Sequence, residues 1–237
     1  MSSLFLVRHG QASFMSDNYD QLSPLGETQA RILGNHWAAL GMRFDRVYVG
    51  PRQRHRQTHA AIAAVYQTQQ LYLPSPEPLP ELDEHQGVEV MEHVLPALAK
   101  RDPIIKASVG VSGMDGMADY QTNFKIFKRV MKLWTRDELE ADGFQSWAAF
   151  KDQVQRGIKN IIAENSSGKT IVAFTSTGPI AVAMGYALNL ADEQILDLSW
   201  AVWNAAYTEF KFSGKRFSLS TFNAASHLQK PELLTYV

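Results

Sequence analysis

The sequence predicts an α/β fold, a three-layer sandwich with a mostly parallel central sheet flanked by helices. Three observations predict it. A short apolar run, Leu4-Phe5-Leu6-Val7, stops at Arg8-His9-Gly10, as a buried strand ends in a loop. Further strand-like runs then alternate with stretches whose apolar residues recur three and four apart. Near the end, Thr208 to Phe212 and Phe217 to Thr221 alternate apolar with polar residues across Ser213-Gly214, which is a hairpin signal.

After the first strand, Ser23 offers an N-cap and Pro24 a first helical position, with Glu27 in the first turn. Ala30, Leu33, Trp37 and Leu40 follow at helical spacing, and Gly41 closes the helix. Phe44 to Val49 reads as a second strand that breaks at Gly50-Pro51. A helix from about Arg52 to Tyr66 carries Thr58, Ala61, Ile62 and Val65 on one face. Pro74, Pro76, Pro78 and Pro80 then fix an extended segment, neither helix nor central strand, that delivers Glu81-Leu82-Asp83-Glu84 as a loop.

From Val88 to Gln145 the pattern is least regular, with a glycine-rich patch (Gly110, Gly113, Gly116) and a helical stretch from Phe124 to Trp134. The stretch at about 88–145 reads as an insertion or cap within one domain spanning 1–237. A helix near Trp147 to Ala163 and a strand at Thr170 to Thr175 resume the alternation. Ser176-Thr177-Gly178-Pro179 is the turn into another helix reaching about Asn189.

Composition narrows the function. With 23 Lys+Arg against 24 Asp+Glu in 237 residues, the net charge is −1. No overall basic field exists for nucleic acid or an anionic membrane, so any attraction for an anion is local. The absence of cysteine excludes disulfides, thiolate nucleophiles, iron–sulfur clusters and cysteine-based zinc sites. Met1-Ser2-Ser3-Leu4 has no positive n-region and nowhere do 18 apolar residues run together. Neither signal peptide nor membrane span is expected, and the default location is the cytoplasm.

Three strand-to-helix junctions carry suggestive residues: Arg8-His9-Gly10, the stretch from Arg52 to Thr58, and Ser176-Thr177-Gly178-Pro179. In an open α/β sheet, ligands bind beyond the carboxyl ends of the strands, so distant junctions converge there. Arginines beside a histidine, with helix N-termini adding N–H groups, suit a phosphoryl group. The histidine is then a general acid/base or a nucleophile at phosphorus. Other readings stand beside this one. Arg8 and His9 read equally as plain loop residues, and Arg52, Arg54 and Arg56 as a solvated helix face. His55 and His59 have the spacing of two metal ligands, but arginines flank His55, and both read as surface histidines. The glycine patch lacks the lysine and helix of a nucleotide-binding loop. The stripe Phe124, Phe127, Met131 and Trp134 reads as core.

The run Leu6-Val7-Arg8-His9-Gly10-Gln11-Ala12, with Leu22-Ser23-Pro24-Leu25-Gly26 and Gln29-Ala30, resembles the N-terminal signature of the histidine phosphatase superfamily, the phosphoglycerate mutase-like family. Val47 to Thr58 is similar to its second motif, S/G-P-x-x-R-x-x-x-T, and Phe144 to Val154 and Phe222 to Tyr236 are similar to later blocks. The likeness leaves out roughly 95–140. It implies that His9 is phosphorylated during turnover and that Arg8 and Arg54 bind the phosphoryl oxygens. It also implies a carboxylic acid that protonates the leaving oxygen. Both Leu82-Asp83-Glu84 and Leu79-Pro80-Glu81 match that segment, and Val90-Met91 favours Glu84 over Glu81.

One departure stands out. Where the family carries a second histidine in an S-H-G segment, this chain has Ser176-Thr177-Gly178. Thr177 is expected to join Arg8 and Arg54 in binding the phosphate by donating one hydrogen bond to a phosphoryl oxygen, but it carries no charge, which implies weakened catalysis. The expected function is hydrolysis of small phosphomonoesters through a phosphohistidine, without metal or organic cofactor. The alternatives are a phospho-ligand-binding protein that has lost turnover, or a phosphoglycerate mutase-like phosphotransferase.

Overall fold

The computed structural model of the chain describes residues 1–12, 20–109, 120–165, 168–214 and 216–236. Its elements in chain order begin with β1 (Ser2–Arg8), α1 (Pro24–Ala39), β2 (Arg46–Val49), α2 (Gln53–Thr68) and β3 (Pro76–Pro78). A 3-10 turn at Pro80–Leu82 leads to α3 (Gly87–Arg101), α4 (Pro103–Val109), α5 (Tyr120–Thr135) and α6 (Trp147–Glu164). β4 (Thr170–Thr175), α7 (Thr177–Leu188), α8 (Asp192–Ser199), β5 (Tyr207–Ser213) and β6 (Arg216–Ala224) complete the chain. Two compact units result, Met1–Glu84 with Asp152–Val237, and His85–Lys151.

The first unit is built on a mixed sheet of order β3-β2-β4-β1-β5-β6, parallel from β3 to β1 and antiparallel from β1 to β6. β1 is central because Leu4, Phe5, Leu6 and Val7 are all buried, which only a strand covered on both faces allows. Phe5 and Val7 join Val47, Val49, Val172 and Phe174 beneath Leu33 and Trp37 of α1 and Ile62 and Tyr66 of α2. Burying each such side chain contributes roughly 1.5–3 kcal/mol relative to exposure. Leu4 and Leu6 point to the opposite face by the period of two, and α7 packs against β1 and β6.

Local chemistry explains the boundaries. Ser23 caps α1, its Oγ accepting from Gly26 N–H at 3.0 Å, with Pro24 in the first turn. Four prolines confine the segment after α2 to an edge, where β3 adds three residues to β2. A 3-10 turn at Pro80–Leu82 stands where an open loop is expected, and α8 has no counterpart in the sequence reading.

The second unit corrects a larger expectation. Its described residues form helices through most of the stretch read as irregular, and α3 runs through Pro96. A proline normally breaks a helix by removing one amide and crowding the preceding turn. Here Val90, Val94 and Leu98 keep helical spacing and pack with Ile105, Ile126 and Val130. Asp102 caps α4, its Oδ1 accepting from Ile104 and Ile105 N–H, while Arg129 Nε donates to Oδ2 at 2.6 Å. Of the stripe read as core, Met131 and Trp134 are buried, while Phe124 and Phe127 are half-buried. Gly110, Gly113 and Gly116 lie outside the described residues.

Candidate active site

The carboxyl ends of β1, β4 and β2 lie side by side, with Arg8 in register with Thr175 and Val49 with Phe174. The residues that follow these strands, His9-Gly10, Ser176-Thr177 and Gly50-Pro51, therefore meet at one end of the sheet. Gly10 permits a close crossing, because a Cβ there would lie 2.2 Å from Gly26 O. Its N–H donates to Thr58 Oγ1 at 3.1 Å, and Thr58 Oγ1 donates to Arg54 O at 2.8 Å. The threonine four residues after Arg54 thus ties α2 to the histidine loop.

His9 is buried, with Nδ1 2.7 Å from the carbonyl of Gly10. A carbonyl only accepts, so Nδ1 carries the proton and Nε2 the lone pair. Arg54 Nε donates to that Nε2 at 3.1 Å. Burial above all, then the nearby Arg54, Arg8 and His55, holds the His9 pKa well below the usual imidazole value, against an opposing backbone bond to Gly10. The ring is a neutral imidazole at pH 7.

Arg54 is buried as well. Its Nη1 donates to Asp20 Oδ1 at 3.0 Å and its Nη2 reaches Ser176 Oγ at 3.5 Å, a long contact. Asp20 Oδ2 accepts from Gln53 N–H at the start of α2, where a carboxylate meets the helix dipole. Arg8 turns its guanidinium to the chain's other end, Nη1 donating to Val202 O and Nη2 to Tyr236 O, each at 2.5 Å.

The two carboxylate candidates part company in space. Glu84 Oε2 accepts from Gly178 N–H at 3.1 Å and from Thr177 Oγ1 at 3.4 Å, so it sits on the N-terminus of α7. Arg52 fixes that approach: its Nε donates to Asp83 Oδ1 at 2.5 Å and its Nη2 to Glu84 O at 3.2 Å. Glu81 instead packs its side chain against Gly157 of α6, at a position where any Cβ on residue 157 would clash.

The reading of His55 as a surface residue is corrected. It is fully buried, its Nε2 lies 2.7 Å from Ser176 Oγ, and its ring centre is 5.8 Å from that of His9. His59 is half-buried, its ring edge-on to Phe174. The helix explains this, since Arg54, His55, Thr58, Ala61, Ile62 and Val65 form one buried stripe at helical spacing. That stripe was readable, but the flanking arginines masked it. Only Arg56 of the three is exposed, while Arg52 and Arg54 are both engaged inward. Asp20 also belongs to the constellation and carried no local signal, whereas Arg52 and Ser176 lay in junctions the sequence singled out without a role of their own.

Among the described residues, no group of three or more His, Asp or Glu side chains is placed to hold a metal ion. A cavity of about 220 Å³ is lined by Gly50, Pro51, Arg56, His59, Pro76 and Pro78 among others, and none of His9, Arg54, Ser176 and Glu84 lines it. No helix in the described residues is long and apolar enough to cross a membrane.

The sequence model of the histidine phosphatase superfamily (branch 1) matches residues 4–103 and 111–225. No curated protein matches the chain. Among solved structures, a phosphoserine phosphatase from Entamoeba histolytica, in complex with phosphoserine, is 18% identical, with 96% of this chain and 100% of that one covered at a TM-score of 0.64. A putative alpha-ribazole-5'-P phosphatase from Escherichia coli is 18% identical, covering 95% and 98% at a TM-score of 0.61. A phosphoglycerate mutase from Bacillus anthracis is 15% identical, covering 98% and 96% at a TM-score of 0.65. At these identities the likeness establishes the shared α/β fold.

Proposed function

Because the chain belongs to the histidine phosphatase superfamily, we propose that it hydrolyses small phosphomonoesters through a phosphohistidine on His9. The observation that carries this reading is the state of His9. Its Nδ1–H is committed to Gly10 O, its Nε2 holds a lone pair, and a guanidinium lies against that nitrogen.

An arriving phosphoryl oxygen competes with Nε2 for the Arg54 N–H, and taking it frees the lone pair. His9 Nε2 then bonds to phosphorus as the ester P–O bond breaks, and Arg54 carries the charge spread over the oxygens. Glu84 gives its proton to the leaving oxygen, then takes one from the water that cleaves the P–N bond, returning neutral His9 and inorganic phosphate. Arg8, anchored to Val202 and Tyr236, contributes its positive charge. The reading calls for no metal or organic cofactor, and the Entamoeba histolytica phosphoserine phosphatase, solved with phosphoserine and with 3-phosphoglyceric acid, supports small phosphorylated molecules as the substrate class.

A second reading, a phospho-ligand-binding protein without turnover, is favoured by Thr177, which stands where an imidazolium would add charge. Incubation with an aryl phosphate and acid-quench trapping of phosphoenzyme separates the two. Wild type is expected to release phosphate and label, and His9→Ala to do neither. Normal hydrolysis in His9→Ala would remove the mechanism, and tungstate binding without any wild-type turnover would favour the second reading.

A further inference from the structure

The imidazole missing from the end of β4 is present from another direction. His55 enters from the first turn of α2, fully buried, with its ring inclined at 36° to that of His9. Its Nε2 meets the hydroxyl of Ser176, the residue directly before Thr177.

Ser176 is diverted from its ordinary work. It is the N-cap of α7 in an extended conformation, yet its side chain makes no capping bond. Such a cap normally contributes about 1 kcal/mol by accepting from an amide of the first turn. Here Glu84 Oε2 takes the Gly178 N–H, which leaves the serine hydroxyl for His55 and for Arg54 Nη2. The slot for the ring is also built: a Cβ on Gly50 would lie 2.5 Å from His55 Nδ1 and 2.9 Å from Leu82 O. Glycine at 50 and histidine at 55 fit each other.

We propose, building on the phosphohistidine reading above, that His55 and Ser176 form a positioning pair that replaces the absent β4 histidine by holding the Arg54 guanidinium against His9. The protons balance in one arrangement. Arg54 Nη2 donates to Ser176 Oγ over a long 3.5 Å, Ser176 donates its O–H to the lone pair of His55 Nε2 while keeping the proton, and Arg54 Nε remains on His9. Burial and the Arg54 and Arg52 charges keep His55 neutral, as an acceptor must be here. His55 therefore supplies geometry where a cation would supply charge, and touches no substrate.

The test compares His55→Ala, His55→Gln and Ser176→Ala in the full chain. Three readouts apply: kcat/KM on an aryl phosphate, tungstate affinity by calorimetry, and the His9 titration by nitrogen-15 NMR. A small misplacement of a binding group lowers rate about a hundredfold, and both alanine variants are expected to show that loss and weaker tungstate binding. The double variant should fall no further than either single one. His55→Gln offers an acceptor oxygen in place of Nε2 and should recover most of the loss.

His9 is faced by Arg54 and His55 from α2 and by Arg8 from β1. If Arg54 swings away, the His9 titration moves up in pH. Ser176→Ala isolates that effect because it leaves His55 in place, and it serves equally where His55→Ala fails to fold. An unmoved His9 titration with unchanged tungstate affinity in Ser176→Ala would overturn the pair. An inactive wild type that showed the expected shift would instead overturn the phosphatase reading and leave the pair standing.

Discussion

Arg54 Nε lies 3.1 Å from His9 Nε2, a cationic donor on the one lone pair of a buried imidazole. Burial above all, with this guanidinium beside it, keeps the ring unprotonated, and in the proposed reaction the same guanidinium would receive the phosphoryl oxygens. Asp20 on Nη1 and Ser176 on Nη2 complete its surroundings.

Glu84 and Glu81 separate by leaving group. A general acid matters most for a poorly leaving alkoxide, so Glu84→Gln should slow alkyl phosphates by about 10²–10⁴-fold and an activated aryl phosphate far less. Glu81→Gln, whose side chain packs on Gly157, should change either rate little. The reverse pattern in steady-state rates would move the acid to Glu81.

Thr177→Val tests where its hydroxyl points. The Thr177 bond to Glu84 is long, and Gly178 N–H holds the same oxygen. The rate on an alkyl phosphate should fall less than about tenfold, the scale of one modest hydrogen bond. A hundredfold loss would place that hydroxyl on the phosphoryl group instead.

Gly50→Ala should act at a distance of one side chain. The new Cβ must displace the His55 ring or the Leu82 carbonyl, and such overpacking costs roughly 1–3 kcal/mol. A lowered melting temperature, by about 2–4 °C for each kcal/mol, is expected in a chain of this size. A melt identical to wild type would mean that the slot around His55 is loose.

Stability should fall on acidification. Burial and neighbouring charge hold the pKa values of His9 and His55 well below normal, and burial followed by His36 takes His227 down to about 4. The unfolded chain protonates these rings near pH 6.5 while the fold does not, so their contribution is complete above about 6.5 and is lost as pH falls. For His227 the loss runs from about 6.5 to 4, near 1.4 kcal/mol per pH unit. Melts between pH 7.5 and 4.5 should show the decline, and His227→Asn should flatten it. A melting temperature that rises between pH 6.5 and 5 would contradict it.

What the sequence determined by itself was local. The apolar run before Arg8, the Ser23-Pro24 cap, the stripe of α2 and the strand ending at Thr175 depend on residues a few positions apart, and those elements formed where periodicity placed them. The same pattern put His9 and Arg54 at strand-to-helix junctions, and a parallel sheet brings such junctions together. The helices of the second unit were less legible because Pro96 reads as a breaker unless packing outweighs it.

The partners of buried polar groups were decided only in three dimensions. His55 meets Ser176 across 121 positions, Arg54 meets His9 across 45, and Arg8 finds Val202 and Tyr236 across 194 and 228. The placement of Glu81 and Glu84 is of the same kind, since both fit the sequence pattern and Glu84 alone reaches the amide of Gly178. A buried donor or acceptor must be satisfied by whatever the fold carries past it, and strand order, which no local period encodes, decides what that is.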